Sequence, residues 1–257
     1  MNESLPMDLM LQSERSGVSD PGEFVADLRS LDRALLTKMF NAGHEVLECR
    51  RVLKKGGLNI VGEVLRGQGE FYEMTHYPKD DVYDAETFSQ YYYHAHRGSV
   101  EHGHFHTFLR SGGMPNDIQP LSWPSADELW PQGSNALSHL VAISMDGWGD
   151  PIGLFMTNRW VTDETWYSAE DVIRMLPGFA IDHANPSWPT NRWLTAMLVL
   201  YRPWIEGLIR HRDQVIQQWQ TTHHDQDVFE DRRLEITGYL PISVQATLAE
   251  IKAVLES

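Results

Sequence analysis

The chain has 257 residues, 42% of them hydrophobic, with nine Trp, nine Tyr and nine Phe, which supplies a buried core and excludes a disordered chain. Its 36 acidic against 21 basic side chains give a net charge of −15, so a phosphate backbone or an anionic membrane surface is repelled, and neither is an expected partner. The single cysteine, Cys49, cannot form an internal disulfide, and it reads as a small core residue in a helix. The N-terminal residues carry neither a basic region nor a long apolar run, and the most apolar stretch, Leu194 to Leu200, is far shorter than a membrane span. The expectation is a soluble, cytoplasmic protein.

In chain order, residues 1–21 read as a polar lead-in. Residues 22–55 read as helical, because Leu28, Leu31, Leu35, Leu36 and Met39 recur at three- and four-residue spacing, with Gly43 a possible division. Lys54, Lys55 and then Gly56-Gly57 give a basic last turn and a stop. From 58 to 161 the apolar residues alternate, which predicts short antiparallel strands near 68–76, 88–97, 101–110, 137–145 and 152–161. A long loop with four prolines occupies 113–133, and the turn at 146–151 joins the last two strands. Helices return after 162: Ser168 to Asp171 resembles a capping box, one long helix is expected from Asn191 to about Gln220, and a last one from Ser243 to Leu255. The order of helices, strands and helices predicts an α+β fold in one domain spanning 1–257. It has a central antiparallel β-sheet, open or barrel-like, between N-terminal and C-terminal helical segments (1–57 and 162–257).

Chemistry concentrates in Tyr91 to Phe108. Five of the twelve histidines, His94, His96, His102, His104 and His106, fall there at even positions. Alternate residues of a strand share a face. A hairpin with His96 opposite His102 sets His94 against His104 and Tyr92 against His106, so that all five rings point one way. Tyr91, Tyr93, Phe105 and Leu109 then face the other. Slipping the register by one separates the two groups and joins His94 and His96 to Glu101. The first register sorts polar from apolar more cleanly and is the one expected. Opposed imidazoles can converge on one ion, whereas crowded protonated rings would repel one another. His139, a lone histidine in an apolar strand, is a further candidate ligand, and His76 a weaker one.

Thr157 to Thr162 and Thr190 to Thr195 share five of six residues. The pattern fits helix-start chemistry, since Thr and Asn are good caps. It also fits a pair of arginines, Arg159 and Arg192, at one anionic substrate group. Arg97 and Arg110 are the other candidate substrate contacts.

The His94-x-His96-xxxx-Glu101 spacing resembles the first half of the cupin metal motif, which implies Glu101 as a ligand beside the histidines. The His94/His96 pair is also similar to the strand pair of α-type carbonic anhydrases, with His104 or His139 as the third ligand. The whole block from YYYHAHR to EHGHFHTFLR resembles a bacterial family of unknown function, a resemblance that implies no activity. Together these readings predict a transition-metal ion, iron or zinc, held by histidines from the set His94, His96, His102, His104, His106 and His139, with Glu101 as an alternative. An Fe(II)-dependent oxygenase acting on a small molecule is the leading expectation, on the strength of the aromatic residues around the hairpin. A zinc hydrolase or lyase, or a metal carrier or sensor, is the alternative.

Overall fold

The computed structural model describes residues 26–123 and 129–257. The expected lead-in at 1–21, the start of the first helical segment at 22–25 and residues 124–128 of the proline loop lie outside the described residues.

Helix α1 (Arg33–Lys55) starts where the Asp32 carboxylate accepts the Leu35 N–H at 2.8 Å. It buries Leu36, Met39, Val46, Cys49 and Leu53 along one stripe. Gly43 does not divide it. The helix runs through because a lone glycine costs only about 1 kcal/mol against the packing of a whole apolar face. After α2 (Ile60–Leu65), Gly67, Gly69 and Met74 adopt positive φ and turn the chain repeatedly. For that reason the strand expected at 68–76 does not form, and β1 is Tyr77–Tyr83. Strands β2 (Ser89–His94), β3 (Gly103–Arg110), β4 (Leu137–Met145) and β5 (Pro151–Thr157) follow the alternating segments closely. In the β4–β5 turn the Asp146 carboxylate accepts the N–H groups of Trp148 and Asp150 at 2.9 and 2.8 Å.

Helices α3 (Arg159–Thr162), α4 (Ala169–Met175), α5 (Trp188–Leu200) and α6 (Arg202–Thr222) come next. The expected single helix at 191–220 is two, because Pro203 has no N–H to continue the ladder and clashes with the preceding turn. The C-terminal segment is not purely helical either. Strand β6 (Ile236–Pro241) precedes α7 (Val244–Leu255) and pairs with β5.

The six strands lie in the order β1-β2-β3-β4-β5-β6, every pair antiparallel. The sheet is open, not barrel-like: β1 and β6 are its edges among the described residues. On one face Tyr91, Tyr93, Phe105, Leu109, Ile143, Leu154 and Met156 merge with residues of α1, α5, α6 and α7 in one apolar core. Phe105 lies 5.8 Å from Trp193, and Tyr91 Oη donates to Asn191 Oδ1 at 2.7 Å. The opposite face carries the even-numbered side chains of β2 and β3. No helix among the described residues is long and apolar enough to cross a membrane.

Gly103 starts β3 close against the end of β2. A Cβ there would sit 2.6 Å from the His94 carbonyl and 2.5 Å from Tyr93 Oη. Backbone cannot step aside as a side chain can, so Gly103→Ala should lower stability by about 1–3 kcal/mol in urea denaturation. A midpoint equal to that of the parent would show that the hairpin tolerates a wider spacing.

Candidate metal centre

In the β2–β3 ladder, Tyr92 pairs with His106 and His94 with His104. This is the register that separates polar from apolar side chains. His94 Nε2 and His104 Nε2 face each other at 2.8 Å. Ring nitrogens of His94, His104 and His106 all lie within 4.8 Å of one another, and all three residues are buried. Two donors at about 2.0–2.1 Å from a tetrahedral ion stand about 3.3 Å apart, so the spacing suits a shared ion after small ring movements.

The hairpin then departs from the expected pairing. Strand β2 ends at His94, and Gly98–Val100 form a single 3-10 turn. His96 therefore lies beyond the ladder. Its half-buried ring stands 5.0 Å from those of both His94 and His104, with Nδ1 3.7 Å from Glu235. His102 turns the other way: its Nδ1 lies 2.6 Å from Tyr93 Oη and its ring stacks on Phe71. The structure does not bring His102 to the cluster.

His139 reaches the cluster through an irregularity. Between Thr107 and Phe108 the β3–β4 register shifts by one, so His139 pairs with Phe108 and an odd-numbered side chain joins the even-numbered face. Its Nε2 lies 3.0 Å from His106 Nδ1. Glu101 sits at the entrance to β3. Its Oε1 bonds His104 Nδ1, and its Oε2 accepts from Ser144 Oγ and, at 3.3 Å, from Arg97. Its carboxylate thus lies behind His104, not among the three converging nitrogens.

The four arginines are dispersed. Arg97 is buried, its guanidinium 4.8 Å from the Phe155 ring and 5.7 Å from that of Tyr239. Arg110 donates to Gln90 Oε1 at 2.6 Å. Arg159 donates to Glu230 at 2.6 Å, and Arg192 to Glu45 at 2.5 Å. The two arginines of the repeated hexapeptide are each held by a different carboxylate. Asn158 caps α3, the helix-start chemistry expected of the repeat, whereas Asn191 lies inside α5 and donates its amide to the His183 and Asn185 carbonyls.

Apart from His76, already a weaker candidate ligand in the sequence, several residues of this face were not singled out there. Ser144 and Tyr239 come from β4 and β6, and Phe155 places its ring 5.0 Å from His104. Glu164 is fully buried and accepts the His139 N–H at 2.7 Å. His76, half-exposed, stacks on Tyr92 at 3.6 Å and meets His94 edge-on at 5.5 Å. Ser144 was the most legible of these: it has the parity of the inward face in an apolar strand.

Burial holds the rings neutral. His94 is lowered to about 2 by burial and by the neighbouring His104, His96 and His76. His139 is lowered to about 3 by burial, with Arg212 and His104 adding to it. His104 and His106 are lowered too, burial again being the main cause. For Glu101 burial opposes ionisation, but the hydrogen bond to His104, the Arg97 cation and the Ser144 hydroxyl outweigh it and hold the carboxyl below its ordinary range. Glu164 goes the other way: burial raises it to about 7, against the pull of Arg212. Among the described residues, buried His106 Nε2 has no hydrogen-bond partner. A neutral imidazole nitrogen in a dry cluster is the donor that a transition metal requires.

Residues 40–242 match the domain of unknown function DUF6969. The chain belongs to that family. No curated protein and no solved structure matches it. The match takes in all six strands of this DUF6969 protein and every histidine of the cluster.

The lowered histidines link stability to pH. Their folded values lie below the ordinary 6.5, so the stabilisation they provide is complete above pH 6.5 and is lost as pH falls towards 3. Glu164 acts in the opposite sense between pH 7 and 4.5, one group against four. The melting midpoint of metal-free protein should be level from pH 7 to 8 and fall steadily from pH 6.5 to 5 in scanning calorimetry. A midpoint unchanged down to pH 5 would mean that the folded protein takes up protons as readily as the unfolded chain, so that burial does not hold the rings neutral.

Proposed function

We propose that His94, His104 and His106 hold one divalent transition-metal ion and that this DUF6969 protein is a metalloenzyme acting on a small molecule. The observation that carries this is the convergence of three buried, neutral imidazoles, one with an unpartnered nitrogen, on the inner face of a β-hairpin. Burying an unpaired polar nitrogen is costly, and an ion at the cluster would satisfy it. Three histidines with no carboxylate among them favour zinc with its fourth position open. A zinc ion there would supply Lewis acidity and lower the pKa of bound water to about 7, the chemistry of hydrolases and lyases.

Iron is the second reading. The aromatic walls support it: Tyr92 and Phe108 lie 5.2 and 6.2 Å from His106, and Phe155 lies 6.1 Å from it. Such walls suit an apolar substrate of an Fe(II) oxygenase. A carrier would need its extra histidines at the ion, whereas His102 points away and His139 bonds His106.

The half-exposed His76 marks an approach from outside. A surface cavity of about 380 Å³, lined by Glu70, Tyr72, Thr75 and Lys79 among others, opens against it. Its Nδ1 is held 3.0 Å from Asp81, and Gln90 in turn holds Asp81 at 2.7 Å. The inner edge of His76 meets His94, so a ligand in this cavity is one ring away from the cluster.

Elemental analysis of untagged protein, purified with and without air, should find about one zinc or iron per chain. His94→Ala and His106→Ala should each remove most of it, with the metal affinity falling at least 100-fold on loss of one of three ligands. Metal content equal to the parent in both variants would overturn the site, and which metal fills it would decide between hydrolytic and oxidative assays.

A further inference from the structure

Glu101 lies in the stretch whose spacing resembles the cupin motif, where it would be a ligand. The structure gives it different surroundings. Both carboxylate oxygens are engaged from behind the cluster: Oε1 by His104 Nδ1, Oε2 by Ser144 Oγ and by Arg97. Arg97 is itself wedged over Phe155 and Tyr239. Side chains from the hairpin turn, β4, β5 and β6 thus fix one carboxylate in place.

An ionised carboxylate only accepts hydrogen bonds. His104 must therefore present N–H at Nδ1. A neutral imidazole has one ring hydrogen, so Nε2 of His104 carries the lone pair, and Nε2 is the atom that faces His94 at 2.8 Å. The other tautomer would turn a lone pair towards the carboxylate and an N–H towards the position of the ion. We propose that Glu101 is a positioning residue of the centre, not a ligand: it holds His104 as the Nδ1–H tautomer and aims the Nε2 lone pair at the metal. This rests on the metal reading above, but the tautomer is a property of the metal-free protein and is open to test without any ion. In that state His94 donates Nε2–H to His104 Nε2, and it must move its proton to Nδ1 when an ion takes the place of that hydrogen bond.

The geometry also dictates what a glutamine would do. Arg97 can only donate, so the side-chain oxygen of Glu101→Gln stays on the Arg97 and Ser144 side. Its NH₂ then faces His104 Nδ1, which must become the acceptor. His104 switches to the Nε2–H tautomer, and the lone pair no longer faces the ion. Size is unchanged and all hydrogen bonds are made, yet the ring is wrongly protonated for binding. A residue of purely structural importance would not move this readout.

The test is a long-range 1H–15N correlation spectrum of the metal-free protein at pH 8, with zinc titrated against a chelator. In the parent protein His104 should appear as Nδ1–H. In Glu101→Gln it should appear as Nε2–H, and zinc affinity should fall about 10–100-fold. Ser144→Ala, which removes one donor but leaves the carboxylate on His104, should keep the Nδ1–H form and bind zinc within a few-fold of the parent. An Nε2–H ring in the parent, or a glutamine variant that keeps both the tautomer and the affinity, would overturn the proposal. The parent spectrum decides even if the glutamine variant fails to fold. Parent protein that shows the Nδ1–H ring but takes no zinc or iron would overturn the metal reading and leave the role of Glu101 towards His104 standing.

Discussion

A strand sends alternate side chains to opposite faces, so the pairing of β2 with β3 decides at once where three imidazoles and four apolar side chains go. With His94 across from His104, Tyr91, Tyr93, Phe105 and Leu109 enter the helix-packed core and His94, His104 and His106 face the other way. A slip of one residue would send imidazoles into the apolar core and tyrosines onto the polar face. The register is held from both sides, by Trp193 and Asn191 against the apolar face and by Glu101 and Ser144 against the polar one.

The polar face is itself buried, which sets a second constraint. A charged group without water is tolerated only when paired and hydrogen-bonded, and removing one member of such a set costs several kcal/mol. Glu101 meets this requirement with Arg97, Ser144 and His104, and Arg159 meets it elsewhere with Glu230. The imidazoles meet it by staying neutral. The result is a cluster that is rigid through its connections and carries lone pairs without carrying charge, which is what distinguishes it from a solvated polar surface.

The legible parts of the chain were those where period and burial agree. The strands at 88–97, 101–110, 137–145 and 152–161 alternate visibly, and the preferred register followed from sorting polar from apolar. Three things were hidden. The single-residue shift at Thr107/Phe108 that turns His139 inward has no marker in composition. The end of β2 at His94 depends on the 3-10 turn at Gly98, and this separates His96 from His102, which the simple hairpin had paired. Strand β6 is short and lies between helices, so Tyr239 joined the site from a segment read as helical. The part played by Glu101 needed its partners from β4 and the turn, which no local spacing displays.

The strand order equals the chain order, and this bears on how the molecule is made. Strands β1 to β5 occupy 77–157, and each can zip onto its predecessor as it leaves the ribosome through short-range contacts that form fast. Strand β6 is separated from β5 by four helices and docks only when the last part of the chain emerges. Until then the β5 edge beside Phe155 has no neighbour, and the flank of Arg97 lacks the Tyr239 ring. The last strand of the sheet to be made is thus the one that completes the wall beside the three histidines.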